Sequence, residues 1–390
     1  MLEECLLVHA VDVDDEVGSV KALAEQDCKL LGELLEMAEN VEYVLLAGGS
    51  PCQGVSSANP RGKGLEDPRS SLVMVFAILV AKTRELTRMR VTRARGFPLY
   101  VDFILENVVM KDAHRMAFTR LMGVEPWSGN AEAVCAAARD RLFWTSLLGK
   151  DMKRLPPLKK MDVVVHDSLK KGWAPLWELM PNWYGNSKQG TGAVPEEPRF
   201  STLVRPFPPG APPENPAMYY KYPLTSYTAR GLVYKKGASN EELEEIMARC
   251  EAGWKDGLRN VRERDSPAAT RMVKLAHWIH VEGGEKTVRP LNAEEREAVY
   301  GFPQGATYVE EGSMASLTQW ERAAMMGNVF VPDVLTHILG NWAGSVQKRE
   351  AVPSVYRLEK EVTGPQVTTM EEAKVLAGVS TVAGCHGRRH

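Results

Sequence analysis

The sequence is poor in the features that mark several classes of protein. Its six cysteines lie far apart and none forms a Cys-x-x-Cys pair, which argues against a zinc site and against a disulfide framework. No apolar run approaches the ~20 residues that span a bilayer, and Met1 to Glu4 lack the basic flank of a signal peptide. The net charge of −2 means that any nucleic-acid surface must be local. We therefore expect a soluble intracellular protein with no metal site and no membrane contact.

The first part of the chain alternates strand-like and helix-like stretches. The 390 residues, 44% of them hydrophobic, can bury one large domain with a smaller one inserted into it. Apolar runs predict strands from Leu6 to Val13, from Tyr43 to Ala47 and from Leu99 to Leu105. Helical spacing predicts helices from Asp27 to Asn40 and from Arg69 to Leu86. This alternation predicts an α/β fold with a parallel sheet covered by helices.

Regular alternation is lost between about residues 150 and 288. Six prolines between residues 204 and 216 interrupt any regular element there. Within the same region, Glu241 to Lys255 retains helical spacing, and Asn240 is the predicted N-cap of that helix. We expect this region to be an insertion into the α/β domain.

Regular patterns return near residue 289. Asn292 and Glu295 have the spacing of a capping box, which predicts a short helix that ends near Val299. A further helix is predicted from Leu317 to Met325, and little pattern follows Trp342. The last segment is therefore expected to be a tail without a regular element.

A cysteine follows one of the predicted strands. The residues from Gly48 to Gly54 read Gly-Gly-Ser-Pro-Cys-Gln-Gly, so Cys52 lies on a tight loop after the strand from Tyr43 to Ala47. In open α/β sheets, ligands bind at this carboxyl edge. The strand from Leu99 to Leu105 delivers Glu106 to the same edge, so a thiol and a carboxyl group are expected to face one pocket. An incidental cysteine in a glycine turn and a solvated or capping glutamate are the alternatives.

Two arginines alternate ahead of an aromatic stretch. Arg139 and Arg141 flank Asp140, and in an extended segment their side chains are expected on one face. Alternatively, they are surface arginines that pair with Asp140. A second group of arginines could hold phosphates, although a solvated basic face is favoured over that function: Arg84, Arg88, Arg90, Arg93 and Arg95.

Together these segments resemble the DNA cytosine-5 methyltransferase family, because several motifs occur in the order that the family has. The matching segments are Gly48 to Ser56, Glu106-Asn107-Val108, Arg139-Asp140-Arg141, Arg289 to Asn292, Gly301-Phe302-Pro303 and Gly327 to Pro332. The stretches Asn59 to Leu65 and Arg141 to Trp144 are most similar to the de novo branch found in animals. The resemblance covers roughly Val8 to Leu148 and Arg289 to Leu339.

The resemblance implies a Rossmann-like S-adenosylmethionine-dependent methyltransferase sheet with an inserted, smaller target-recognition region. Residues 1–149 would form the first part of the catalytic domain, and residues 150–288 the target-recognition region. Residues 289–342 would return to the catalytic domain, and residues 343–390 would form the C-terminal tail. The resemblance also implies a nuclear location.

The resemblance assigns chemistry to particular residues. Cys52 would add to C6 of a flipped-out cytosine in DNA, Glu106 would hold the base at N3 and its amino group, and Arg139 and Arg141 would hold O2 and the nearby backbone. S-adenosylmethionine would be the cofactor. Five residues would contact it: Asp12, Asp27, Pro51, Asn328 and Val331.

One family motif has no match in this sequence. The Phe-x-Gly-x-Gly loop that wraps the methionine end of the cofactor would precede Leu6, and it does not recur near the C-terminus. The sequence is therefore expected to be an incomplete gene model or a fragment of an active enzyme. The alternative is a catalytically inactive remnant that binds DNA or a partner.

Two further functions stay open on the residues alone. An RNA cytosine-5 methyltransferase would use the same chemistry on a different nucleic acid. An unrelated cysteine hydrolase would need a histidine near Cys52, and His9, His114 and His166 have no motif around them. A protein partner or a homo-oligomer is compatible with either function.

Overall fold

The computed structural model describes ten stretches of the chain: residues 43–52, 54–56, 62–91, 100–147, 161–181, 196–203, 229–257, 287–308, 317–340 and 364–379. Several predictions lie outside these residues, namely the strand from Leu6 to Val13, the helix from Asp27 to Asn40, the proline-rich segment 204–216, and the cofactor acids Asp12 and Asp27. The chain forms two units. Unit 1 comprises residues 1–128, 141–150 and 342–390, and unit 2 comprises residues 129–140 and 151–341.

The first unit is built on a sheet in which parallel and antiparallel pairs occur together. The strands of this sheet are β1 (Tyr43–Gly49), β2 (Tyr100–Val108), β3 (Trp127–Asn130) and β4 (Asp140–Thr145), and the last two residues of β3 and the first residue of β4 fall in unit 2. They lie in the order β1-β2-β4-β3, with β1 parallel to β2 and β4 antiparallel to β2. The prediction of an α/β fold is confirmed as a mixed α/β arrangement, and both strands predicted in the described part of this region are present.

Two helices follow the first two strands of unit 1. They are α1 (Leu72–Val91) and α2 (Asp112–Met122). The predicted start of α1 at Arg69 is three residues early, because Asp67 Oδ1 accepts a hydrogen bond from the Arg69 backbone N–H at 3.0 Å and forms a turn there. Buried side chains from both helices, β2 and β4 form the core of the unit, among them Met74, Phe103, Phe118 and Trp144.

A helix near the C-terminus completes this core. Although little pattern was expected after Trp342, the structure has a helix, α8 (Met370–Ala377), that packs against α1 and α2. Thr369 opens it with a capping box, and Ala373 and Ala377 are buried in the core of unit 1. The expectation of a tail without a regular element was therefore wrong for residues 364–379.

The second unit contains a small antiparallel sheet and short helices. Its strands are β5 (Trp173–Pro175), β6 (Leu232–Lys235) and β7 (Val288–Pro290), with β6 in the middle. Its helices are α3 (Met161–Asp167), α4 (Asn240–Gly257), α5 (Ala293–Val299), α6 (Gln319–Met325) and α7, residues 332–340. Residues 287–340 thus group with the region predicted to be the insertion, whereas the resemblance implied that they return to the first domain.

Caps at the ends of helices decide where these short helices begin. The capping box predicted for Asn292 and Glu295 is present at the start of α5. The N-cap predicted for α4 was wrong, because Ser239 rather than Asn240 accepts a hydrogen bond from the Glu242 backbone N–H, and Glu242 accepts one from the Ser239 N–H in return. No helix in the described stretches is long and apolar enough to cross a membrane.

Candidate functional site

The predicted thiol and carboxylate lie at the same edge of the unit 1 sheet. In the parallel pair of β1 and β2, Gly49 is the register partner of Glu106. Cys52 follows Gly49 by three residues, and Ser56 forms a bridge with Met110 just beyond β2. The expectation that both strands end at one edge of one sheet is confirmed.

Gly49 allows the Glu106 carboxylate to lie over the end of β1. A Cβ atom at Gly49 would meet Glu106 Oε2 at 3.1 Å, closer than carbon and oxygen normally approach. Any larger residue at this position would therefore displace the carboxylate. The glycine before the cysteine loop has a steric function at this site.

Arg141 forms an ion pair with Glu106. Its Nε lies 2.6 Å from Glu106 Oε1, and each side chain is only 12% exposed. The register explains the contact, since Arg141 is opposite Val108 and thus lies diagonally across the two strands from Glu106. An ion pair with little access to water is only weakly screened, so it favours one position of the carboxylate.

The loop that carries Cys52 is a tight turn. The Cys52 carbonyl accepts hydrogen bonds from the backbone N–H groups of Val55 at 3.1 Å and Ser56 at 2.8 Å. The Cys52 side chain is half-buried and its thiol is not part of a disulfide. Cys52 is therefore not fully enclosed in the core of unit 1.

Asn107 ties this turn to β2. Its side-chain amide donates to the Ser50 carbonyl at 3.0 Å and to the Ser50 hydroxyl at 2.8 Å. Asn107 is 1% exposed, and its Oδ1 accepts from the Val108 N–H. The sequence motif contained Asn107 without a function for it, and the structure shows it as the link between the two halves of the site.

Ser70 ties the turn to the residues just before α1. Its hydroxyl accepts a hydrogen bond from the Gly54 N–H at 3.0 Å and donates to the Pro51 carbonyl at 3.4 Å. Sequence reasoning missed this residue, because Ser70 lies 16 positions after Gly54 and reads as an ordinary residue near the start of a helix.

Arg139 has a different environment in unit 2. Its Nη1 donates to the Gly327 carbonyl at 3.1 Å and to the Tyr300 hydroxyl at 3.4 Å, and its guanidinium lies 5.4 Å from the centre of the Tyr300 ring. It is 3% exposed. The two arginines, whose side chains were expected on one face, thus have different partners in different units.

The predicted cofactor residues of the described stretches do not come together in one unit. Pro51 is in unit 1, where its carbonyl accepts from Ser70. Asn328 and Val331 are in unit 2; the Asn328 N–H donates to the Met325 carbonyl, and Val331 is buried just before α7. Pro51 is therefore the only member of the predicted set among the described residues of unit 1.

A buried carboxylate organises part of unit 2. Glu297, which is fully buried, accepts from the N–H groups of Gly305 at 2.6 Å and Thr307 at 3.0 Å, from the Thr307 hydroxyl, and from Arg322 Nη2 at 2.9 Å. Burial alone would raise the pKa of Glu297, but these hydrogen bonds outweigh it and hold the pKa below its usual value. Gly301 to Pro303 lie between Glu297 and the residues that it binds, Gly305 and Thr307, so this motif is part of the loop that the buried carboxylate holds.

Cys135, whose side chain is also described, is a poor candidate nucleophile. Burial raises the pKa of the Cys135 thiol to about 12, and its Sγ donates to the Ala137 carbonyl at 3.2 Å. A thiol with such a pKa is almost entirely protonated at neutral pH. Cys135 therefore serves as a chemical contrast to Cys52.

Other predicted groups have structural contacts. Arg84 is 9% exposed, lies 5.5 Å from the Phe103 ring centre and donates to the Val101 carbonyl, so neither phosphate binding nor a solvated basic face fits it. His166 Nε2 lies 3.1 Å from Glu178 in unit 2, and the His114 ring faces Gly64. His9, Arg93 and Arg95 lie outside the described residues, and so do the side chains of Arg88 and Arg90. No metal-binding cluster occurs among the residues described.

No family model matches the chain. The solved structure of the Entamoeba histolytica methyltransferase EhMeth is similar to this chain with a TM-score of 0.37 and 12% sequence identity, over 87% of this chain and 84% of that one. A similarity at this level leaves the function to be argued from the site itself.

Proposed function

We propose that the protein is a DNA cytosine-5 methyltransferase that uses Cys52 as a covalent nucleophile. The observation that carries the proposal is the parallel register of β1 and β2, which sets the Cys52 turn beside Glu106, with Arg141 paired to that carboxylate. A thiol, an oriented carboxylate and a guanidinium are the groups that this reaction requires. The proposed parent fold is a Rossmann-like sheet, of which the parallel β1–β2 pair is a part.

The reaction begins with the thiol. The Cys52 thiolate adds to C6 of the cytosine, which forms an S–C6 bond and moves electron density towards C5. The proton that the Cys52 thiol loses is taken up at N3, and Glu106 accepts hydrogen bonds from that N3–H and from the amino group, which stabilises the ring while it carries this density. Methyl transfer to C5 would release S-adenosylhomocysteine from the cofactor. The C5 proton then passes to a solvent water, and the electron pair of that C–H bond restores the C5–C6 double bond as the S–C6 bond breaks and the thiolate leaves.

Arg141 has two tasks in this scheme. It holds the Glu106 carboxylate in the plane that the base must meet, and its remaining N–H groups are suited to the O2 atom of the base. The buried contacts of Arg139 with Tyr300 and Gly327 favour a structural function for that arginine. We therefore assign the base contact to Arg141.

S-adenosylmethionine would supply the methyl group. Among the described residues of unit 1, only Pro51 belongs to the predicted cofactor set, so these residues do not by themselves form a cradle for the cofactor.

DNA is the proposed substrate. Because C6 is not accessible inside a stacked duplex, the base must be flipped out, at a cost of roughly a few kcal/mol. The resemblance to the de novo branch supports DNA over RNA and a location in the nucleus.

Covalent trapping tests this function. The protein is incubated with S-adenosylmethionine and DNA that contains 5-fluorocytosine, whose C5 cannot lose a proton after methylation, so the adduct persists. The variants are Cys52→Ala and, as a matched control, Cys135→Ala. We expect a denaturation-resistant complex with the unmodified protein and with Cys135→Ala, and none with Cys52→Ala.

Other results would replace the proposal. A complex only with 5-fluorocytosine in RNA would identify an RNA methyltransferase. Binding of DNA or of a protein without a complex, also after a Phe-x-Gly-x-Gly segment is added at the N-terminus, would identify a non-catalytic remnant.

A further inference from the structure

We propose that Ser70 is a positioning residue that holds the Cys52 turn in its reactive geometry. The proposal rests on the proposed function, since it assigns Ser70 its task through the Cys52 thiol. Ser70 itself is not expected to touch the base or the cofactor.

One hydroxyl group connects the two sides of the cysteine. Ser70 Oγ donates to the carbonyl of Pro51, the residue before Cys52, and accepts from the N–H of Gly54, two residues after it. Ser70 is fully buried. The hydroxyl therefore uses its donor hydrogen and one acceptor lone pair on the segment that carries the thiol.

The packing around Gly54 shows how closely this segment is held. A Cβ atom at Gly54 would lie 2.5 Å from Ser70 Oγ, 2.6 Å from Asp67 Cβ and 2.6 Å from the Gly64 carbonyl oxygen. The Gly54 carbonyl in turn accepts from the Gly64 N–H at 2.8 Å. Residues 64–70 thus clamp Gly54 closely, and the Ser70 hydroxyl is one of the polar groups that contact it.

Loss of the hydroxyl would act locally. Without it, the buried Gly54 N–H loses its acceptor, and an unsatisfied buried donor favours conformations in which the turn opens to water. The thiol would then spend less time in the orientation that addition to C6 from the face of the ring requires. A lower rate of adduct formation is expected without a change in DNA affinity.

The adjacent serine provides a matched control. The Ser71 hydroxyl donates to the Pro68 carbonyl at 2.6 Å, with no contact to the Cys52 turn among its described bonds. Ser70→Ala and Ser71→Ala remove the same atom from neighbouring positions before α1. A difference between them reports on the Cys52 turn rather than on the helix.

The first measurement is amide hydrogen exchange on ¹⁵N-glycine-labelled protein. In Ser70→Ala we expect the Gly54 amide to exchange about tenfold faster than in the unmodified protein. The Gly123 amide, which donates to the Thr119 carbonyl at the end of α2, should be unchanged. In Ser71→Ala both amides should stay within about twofold of the unmodified protein.

The second measurement is the rate of adduct formation with 5-fluorocytosine DNA. We expect Ser70→Ala to lower the maximal rate at least tenfold and to leave the DNA concentration at half-maximal rate unchanged. Ser71→Ala should keep the maximal rate within twofold. Equal exchange and equal rates in the two serine variants would overturn the proposal.

The outcome for Ser70 can be separated from that for the proposed function. Failure of the unmodified protein to form an adduct counts against the proposed function, and the exchange comparison still decides whether Ser70 holds the turn. If Ser70→Ala does not fold, the exchange rate of the Gly54 amide in the unmodified protein is the deciding measurement. A Gly54 amide that exchanges as fast as an unprotected glycine amide overturns the proposal, and one as slow as Gly123 supports it.

Discussion

Arg141→Ala and Arg139→Ala should have different effects, although only one residue separates the two arginines. Arg141→Ala removes the ion pair with Glu106, whose Oε1 lies 2.6 Å from Arg141 Nε and whose side chain is 12% exposed in the intact pair. Arg139→Ala removes the contacts with Tyr300 and Gly327 in unit 2. The first change should reduce catalysis, and the second should reduce stability.

The contacts set the expected magnitudes. Misorientation of a group that acts on the transition state costs about a hundredfold in rate, so Arg141→Ala should lower adduct formation by about that factor. For Arg139, which is 3% exposed, two hydrogen bonds from a charged group and a ring contact add up to about 3 kcal/mol of unfolding free energy. Arg139→Ala should leave the adduct rate of the folded protein within about tenfold of the original.

Denaturant unfolding and the trapping rate, measured at a temperature at which both variants are folded, distinguish the two effects. Arg141→Lys serves as a second control, since it keeps the charge but lacks the Nε–H that meets Glu106. We expect its trapping rate to lie between those of the alanine variant and the unmodified protein. If Arg139→Ala is as stable as the original and loses as much rate as Arg141→Ala, the assignment of the two arginines is wrong.

Three other changes follow from buried contacts. Glu297→Gln should cost about 3 kcal/mol of unfolding free energy. Because folding lowers the pKa of Glu297, this carboxylate stabilises the fold above its ordinary pKa of 4.5, and the stabilisation is lost as the pH falls through the pKa of the folded state. In urea titrations, the variant should therefore lose less stability on acidification than the unmodified protein does. Gly54→Ala places a Cβ atom 2.5 Å from Ser70 Oγ, and should abolish trapping and cost about 1 to 3 kcal/mol; normal trapping would contradict the clamp. Ala373→Asp buries a charge in α8, and a thermal scan should show unit 1 already unfolded at the starting temperature. Val375→Asp, at a position 69% exposed, should shift the Tm by no more than a few degrees.

Local features of the fold were predictable because their causes are local. The apolar runs of β1 and β2 and the capping box of Asn292 depend on residues within a few positions of one another, and each is present in the structure. The cap of α4 could also have been predicted, because Ser239 and Glu242 have the spacing of a capping box. Only its residue type favoured Asn240 as the N-cap.

The helix α8 was not predicted, because its stability depends on residues that are distant in the sequence. Its eight residues are too few to be stable alone, and its apolar positions gain their meaning only from α1 and α2, which lie far away in the sequence. The local pattern alone therefore did not reveal that this segment belongs to the core of unit 1.

For the candidate site, the sequence by itself determined the chemistry that is available: a thiol after a glycine pair, a carboxylate at the end of the next strand, and two alternating arginines. The tertiary structure alone decided which groups meet. The strand register brought Arg141 to Glu106 and left Arg139 against Tyr300, and the packing before α1 brought Ser70 to the Cys52 turn. The physical reason is that residue types and spacing are properties of the chain, whereas a hydrogen bond across 16 residues depends on how strands and helices pack.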